Sequence, residues 1–364
     1  MFNLPNTLFG SKSFKAAVGL AMYASSKAAC AYCTAHACSF ALRRGARTEA
    51  IAGSRTAKEQ AVVTLAEGLA HVPSKLTLAD VEAVRQHFST TETEWLVYAV
   101  SMMGFLNKFM NAVGVELEQE AINDTAELLS RTGWKPGVHA DGYTITRSAS
   151  PPKDNLLTYL RVIRHAPGAV LWEKKWTAGV PSDYPAASEF LKQHTGYSFN
   201  VLMPIKAGRV MKTLTAVLRD NLDKAQTVTG LKMKMYAGYI FSSLVGNDVL
   251  KSEIKNLSVQ LAPELNERLA SLEEISQMEI PADSDTCNEV MAFIQQKLSL
   301  NEQEAALILL AVSASHSPAQ INSAVVKTTT EYLQPAGIVE TIVWLSVLQL
   351  LNRMSSYYSL IKAY

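Results

Sequence analysis

An internal repeat constrains the fold of this chain more than any other feature of its sequence. The stretch from Lys58 to Lys108 recurs from Gln303 to Arg353, at a constant offset of 245 residues and without a gap. The matched residues include Glu59 and Glu304, His71 and His316, Pro73 and Pro318, and Asn107 and Asn352. Such an offset indicates duplication of one unit. We therefore predict two copies that pack as a pseudo-twofold pair.

Apolar residues recur with helical spacing along the repeated unit. In the first copy, Ala61, Val62, Leu65 and Leu69 form one apolar stripe. A long apolar segment follows over residues 91–115, and no strand pattern appears in this half of the chain. We therefore expect an all-α fold built from two helical repeats.

A cluster of glycines and prolines interrupts the helical pattern in the middle of the chain, where helices are unfavourable. We interpret residues 131–155 as a linker between two halves. Residues 1–130 are then an N-terminal helical repeat, and residues 156–364 are a C-terminal repeat that has diverged from it.

The N-terminal repeat contains the segment Cys30-Ala-Tyr-Cys33-Thr-Ala-His36. On a helix, residues three apart lie on one surface, so Cys33 has Cys30 on one side and His36 on the other. A helix N-terminus lowers the pKa of a first thiol, and a nearby imidazole can accept the proton of a second. The spacing therefore favours a redox pair with a nucleophilic thiolate, a resolving thiol and a base.

Two other interpretations of this segment remain open. Cys30, Cys33, His36 and Cys38 could together hold a metal ion, although the chain has no second Cys-x-x-Cys segment. They could also be small buried residues of a core helix. The plausible counterpart in the second half, residues 235–252, has no cysteine, so only one half can be active through thiols.

Composition excludes several classes of function. The 364 residues carry a net charge of +1, which gives no reason to expect nucleic acid or a membrane surface as a partner. We expect no cofactor, because the sequence has no glycine-rich phosphate loop. We also expect no run of transmembrane length and a mature helix, not a signal sequence, near the N-terminus. Four cysteines do not make a disulfide scaffold, so we expect the reducing cytoplasm.

The sequence resembles the alkylhydroperoxidase D / carboxymuconolactone decarboxylase superfamily. The resemblance rests on the Cys30–His36 segment, on the following helix that ends in Arg43-Arg44-Gly45, and on the later segments 76–81 and 105–109. It covers about residues 15 to 115. Residues 230 to 360 match as a degenerate second copy, and residues 130 to 225 are not covered.

The resemblance implies paired helical units, assembly into a homo-oligomer and thiol peroxidase or disulfide reductase chemistry. By the resemblance, Cys33 attacks a hydroperoxide, Cys30 resolves it as a disulfide and His36 is the base. An external dithiol of the lipoamide or thioredoxin type would restore both thiols.

Two differences from the family pattern affect what the resemblance implies. Two residues separate Cys33 from His36, where the family more often has three, and the relay glutamate before Cys30 is replaced by residues 16–18 without an acid. Either another carboxylate reaches the site from elsewhere, or His36 acts alone. The alternative function is a non-enzymatic protein that senses redox state or binds a partner, with a decayed site.

Overall fold

The structure is a computed structural model that describes residues 10–140, 142–146 and 164–362. Within these residues it contains seventeen α-helices and no strand, so the predicted all-α class is confirmed. The first half contains α1 (Lys12–Ser26), α2 (Ala31–Arg43), α3 (Thr48–Ala52), α4 (Ala57–Ala70), α5 (Leu78–Arg85), α6 (Thr90–Val113) and α7 (Gln119–Ser130).

The second half contains ten helices, and not all of them have a counterpart in the first half. They are α8 (Ala166–Trp176), α9 (Tyr184–Thr195), α10 (Gly208–Asn221), α11 (Leu231–Leu244), α12 (Asp248–Leu261), α13 (Leu269–Ser276), α14 (Ser284–Leu298), α15 (Glu302–Ser315), α16 (Ser323–Tyr332) and α17 (Pro335–Lys362). Three short 3-10 helices are Gly137–His139, Asn200–Leu202 and Pro263–Arg268.

The sequence repeat is also a repeat of helices. α4 begins after Thr56, which forms a capping box with Glu59, and α15 begins after Asn301, which forms the same capping box with Glu304. The two helices have the same length, and α6 and α17 begin at positions that the same offset relates. The same local rule therefore starts the repeated unit in both halves.

The two long helices α6 and α17 pack against each other at the centre of the fold. Both are long and apolar enough to cross a membrane, by length and composition only. Our expectation that no run reaches transmembrane length is therefore wrong. Of the qualifying windows, 61% and 67% are buried inside the fold, as in the core helices of many globular proteins. The expectation of no membrane partner stays a prediction.

A close approach between α1 and α2 positions the cysteine segment. Gly19 of α1 lies against the backbone of Ala41 in α2, where an added Cβ would be only 2.7 Å from the Cα atom. Only glycine, which has no Cβ, permits this packing. Helix α2 also packs on α6 and α7, so three helices hold α2 in place.

The segment that we interpreted as a linker makes specific contacts with the first half. Trp134 donates its indole N–H to the carbonyl of Ala31, at the beginning of α2. The amide of Leu117 donates to the carbonyl of His139. Residues 131–140 of this segment are therefore packed against the first half, and Trp134 contacts the cysteine helix directly. The rest of the interval to residue 155 lies largely outside the described residues.

Candidate functional site

Cys30 is the N-cap residue of α2. Its backbone is extended, with φ −162° and ψ 114°, and its Sγ atom accepts a hydrogen bond from the amide of Cys33 at 3.3 Å. A helix N-terminus favours negative charge, because its first amides lack partners and the helix dipole has its positive end there. The fold therefore places Cys30 where a thiolate is stabilised.

The imidazole that contacts a cysteine is His139. Its Nε2 atom lies 3.8 Å from the Sγ atom of Cys30, and its Nδ1 atom lies 2.7 Å from the carbonyl oxygen of Val115. A carbonyl oxygen only accepts hydrogen bonds, so Nδ1 carries a proton. Nε2 can therefore accept the thiol proton of Cys30 or, once protonated, donate to the thiolate.

The two thiols interact closely, but their surroundings shift their pKa values in opposite directions. The pKa of Cys30 is lowered, first by a hydrogen bond from the Cys33 thiol and then by contacts with His139 and the Cys33 amide. The pKa of Cys33 is raised, first by that same hydrogen bond to Cys30 and then by burial. Cys30 is thus the sulfur that loses its proton first.

His139 responds to the same contact. Burial lowers its pKa, but the contacts with Cys30 and with the carbonyl of Val115 outweigh burial and raise it overall. A raised imidazole pKa and a lowered thiol pKa are the two signs of a thiolate–imidazolium pair.

A cavity of about 680 Å³ opens at Cys33. Cys33 lines this cavity, whereas Cys30 and His139 lie behind it. Both sulfurs belong to residues that are only 3% exposed, and the cavity is a route by which a small molecule can approach Cys33. Its apolar wall consists of Met22, Phe40, Met103, Leu106 and Met110.

His36 lines the same cavity but points to a carboxylate. Its Nε2 atom lies 2.8 Å from Oε2 of Glu118, and the hydroxyl of Tyr32 donates to Oε1 of Glu118 at 3.0 Å. Of the two alternatives left open by the sequence, a carboxylate does reach His36 from elsewhere, from the N-cap position of α7. His36 makes no hydrogen bond to Cys33 in the described structure, and its role as the base on Cys33 stays a prediction.

Sequence reasoning missed His139. It lies in the interval that we interpreted as a linker, and no residue spacing connects it with Cys30, 109 positions earlier. Only the path of the chain back over α2 brings the two together. No local signal in the sequence could have found this contact.

The described residues provide no ligand set for the metal interpretation of the cysteine segment. Among the described residues, no group of three or more histidine, cysteine or acidic side chains is placed to hold a metal ion. Cys38, the third cysteine of the segment, is fully buried, and burial raises its pKa to about 12. Cys38 therefore remains a neutral thiol near pH 7.

The corresponding place in the second half has no thiol. Helix α12 begins after Asn247, which caps it by accepting from the amide of Leu250. Six residues after this cap, as His36 is six residues after Cys30, the buried carboxylate of Glu253 accepts hydrogen bonds from Tyr197 and from two backbone amides. A cavity of about 450 Å³ lies beside Glu253, but no cysteine lines it.

Comparison with known proteins assigns nothing to this site. No protein-family model, no curated protein and no solved structure matches the chain. The resemblance to the alkylhydroperoxidase D superfamily therefore rests only on the sequence segments that carry it. What that resemblance implies for function enters as a proposal.

Proposed function

We propose that the chain is a thiol-dependent hydroperoxide reductase, with two helical repeats of the alkylhydroperoxidase D type packed as a pseudo-twofold pair. The observation that supports this most is the contact between Cys30 and His139 at the N-terminus of α2, directly behind the cavity that Cys33 lines. One sulfur is held ready as a thiolate and the other meets the cavity.

In the first step the two sulfurs have different roles, attack on the peroxide and acceptance of a proton. The thiol of Cys33 passes its proton to the Cys30 thiolate while its sulfur attacks the terminal oxygen of the hydroperoxide. The S–O bond forms as the O–O bond breaks. The alkoxide takes up a proton from solvent to leave as an alcohol, while the imidazolium of His139 returns its proton to solvent, so that Nε2 can accept a proton again. In this scheme Cys30, supported by His139, is the base for Cys33.

The second step forms the disulfide. Cys30 gives its proton to Nε2 of His139, and its thiolate attacks the sulfenic acid at Cys33. The S–O bond breaks, and the departing hydroxide takes up a proton to form water. In sum, one hydroperoxide becomes one alcohol and one water, and two thiols become one disulfide.

An external dithiol then returns the disulfide to two thiols by exchange through a mixed disulfide. A lipoamide or thioredoxin type of reductant would have to reach the sulfur that lines the cavity first. Cys33 lines the open cavity and is therefore the sulfur that we expect such a dithiol to attack.

The test is turnover of an organic hydroperoxide by the purified chain with dihydrolipoamide as reductant. Cys33→Ser should abolish turnover, because no sulfur would then meet the cavity. Cys38→Ala is the matched control on the same helix, and it should keep turnover because Cys38 does not line the cavity. Equal rates in wild type and Cys33→Ser would overturn the proposal.

The burial of both sulfurs favours one other function, a redox sensor without turnover. Buried thiols can form one disulfide and yet be reduced again only slowly. Mass spectrometry after mild peroxide would then show the loss of two hydrogens between Cys30 and Cys33. A stoichiometric reaction that no dithiol restores would favour the sensor over the enzyme.

A further inference from the structure

Two buried cations occupy matched positions of the central helices, Lys108 in α6 and Arg353 in α17. Their exposed fractions are 3% and 1%, and no described carboxylate forms an ion pair with either. A buried charge without a counter-ion is costly, so each cation needs an explanation.

The burial of the Lys108 ammonium is explained by its hydrogen bonds to the end of a helix. Its ammonium donates to the carbonyl oxygens of Ala314, Ser315 and His316, where α15 ends and carbonyls lack helical partners. Three acceptors satisfy its three donors. Burial lowers the pKa of Lys108 to about 7, so it also loses its charge readily.

Arg353 has no such partner set. It donates from Nη1 to the carbonyl of Val100 at 2.7 Å, and its buried Nε atom has no hydrogen-bond partner. Its side chain crosses α6 at Gly104, where an added Cβ would lie 2.9 Å from its Cδ atom. The neighbouring residue of α6, Met103, lines the cavity of Cys33. Arg353 and Gly104 also line a small cavity together with Ala29, the residue that precedes Cys30. Arg353 of the second half thus lies beside the chain segment that leads into the thiol pair of the first.

Among the described residues, few charged or titratable groups act on Cys33 and Arg353. Of these groups, Cys33 is the one that favours the charged form of Arg353, and Arg353 is the cation that lowers the pKa of Cys33. The other titratable groups that act on Cys33, Arg353 or the thiol pair are Cys30, Tyr32, Lys108 and His139.

We propose that Arg353 is a positioning residue that acts as the counter-ion of Cys33 when this sulfur becomes negative. Each sulfur then has a cationic partner from a different part of the chain, His139 for Cys30 and Arg353 for Cys33. The second half has no cysteine pair of its own, but its central helix supplies this charge to the first. The inference deepens the proposed thiol chemistry and rests on the same pair.

The test measures thiol ionisation, so it does not depend on peroxide turnover. In a Cys30→Ser background, the rate of Cys33 alkylation by iodoacetamide is followed against pH with mass spectrometry. Arg353→Gln should move the midpoint upward by about one pH unit, which means roughly tenfold slower alkylation below the midpoint. Arg353→Lys, which keeps the charge, should restore most of the wild-type profile.

Lys108→Gln is the matched control, since it removes a buried cation at the equivalent position that does not contact a cysteine. It should leave the Cys33 midpoint within a few tenths of a pH unit. An equal shift in Lys108→Gln and Arg353→Gln, or no shift in Arg353→Gln, would overturn the proposal.

If Arg353→Gln does not fold, a second variant tests whether Arg353 is the counter-ion of Cys33. Gln349 lines a small cavity with Arg353, and both of its amide atoms lack partners. Gln349→Glu would offer Arg353 a competing counter-ion while filling the same space. The midpoint of Cys33 should rise in this variant too, and an unchanged midpoint contradicts the proposal. Loss of turnover with normal thiol profiles would instead count against the peroxidase function alone.

Discussion

Helices α2 and α12 begin in the same way, but they use their capping side chains differently. Cys30 caps α2 through its sulfur and faces His139, whereas Asn247 caps α12 and donates its amide to Asn352, Ser355 and Ser356 of α17. In the second half every polar group of the cap is satisfied. In the first half one reactive atom remains beside an imidazole.

The difference comes from what covers each helix. Residues 115–139 return over α2 and bring Glu118 and His139, whereas residues 197–201 lie over α12 and supply only donors to Glu253. Two helices that begin in the same way can therefore carry either a reactive thiol or a fully hydrogen-bonded side chain at the N-cap position. The covering segment decides which of the two is built.

The largest expected effect comes from comparing His139 with His36, two histidines near the cysteine segment. His139→Ala should lower the peroxidase rate at pH 7 by about a hundredfold or more, because Cys30 then loses its imidazole and its pKa rises. Part of the rate should return at higher pH. His36→Ala should cost less than about tenfold. Rate profiles against pH measure both, and a larger loss in His36→Ala would favour the role of base that the family resemblance implies for His36.

The next effect compares the two caps directly. Asn247→Ala should lower the free energy of unfolding by about 2 to 3 kcal/mol, because it removes a cap and leaves polar groups of α17 unpaired. Cys30→Ala should cost about 1 kcal/mol or less, since the sulfur makes one weak capping bond. Urea unfolding of both variants measures this. Equal losses would mean that Asn247 is no better anchored than Cys30.

A smaller effect separates two glycines on equivalent helices, Gly19 of α1 and Gly238 of α11. A Cβ at Gly19 would meet the backbone of Ala41 at 2.7 Å, whereas at Gly238 it would meet the side chain of Trp344 at 3.0 Å. Gly19→Ala should therefore lower the free energy of unfolding by roughly 1 to 3 kcal/mol. Gly238→Ala should cost less, because its added Cβ would overlap its neighbour less, at 3.0 Å instead of 2.7 Å. Thermal unfolding would refute this if the order were reversed.

The smallest effect is a pH dependence of opposite sign in the two halves. Burial raises the pKa of Glu253 despite its hydrogen bonds, so the folded state binds this proton more tightly than the unfolded state. Its contribution to stability therefore falls as the pH rises from about 4 through its folded pKa. Glu253→Gln should gain stability relative to wild type over that interval.

Glu118 provides the matched comparison. Partial burial raises its pKa, but hydrogen bonds from its own backbone, His36 and Tyr32 lower it overall. Its contribution is present above the unfolded pKa and is lost as the pH falls through the folded one. Glu118→Gln should lose stability relative to wild type as the pH rises, by less than about 1 kcal/mol for so exposed a pair. Thermal midpoints between pH 3 and 7 would contradict the comparison if both variants changed in the same direction.

Local patterns were sufficient for much of the framework. The stripe of Ala61, Val62, Leu65 and Leu69 lies in α4 and is buried, as its spacing predicted. The all-α class is confirmed. The capping boxes of both copies lie where the offset relates them, because they involve residues only three positions apart. Such features depend on near neighbours in the chain, which the sequence contains completely.

The sequence by itself therefore determined the helices, their repetition and the presence of one cysteine pair at a helix N-terminus. Only the tertiary structure decided which groups face that pair. His139 reaches Cys30, and Glu118 reaches His36, from positions distant in sequence, and their approach depends on how the covering segment packs on the first half. A thiol pKa depends on charges within a few ångströms, and distance in space is set by packing and not by spacing along the chain.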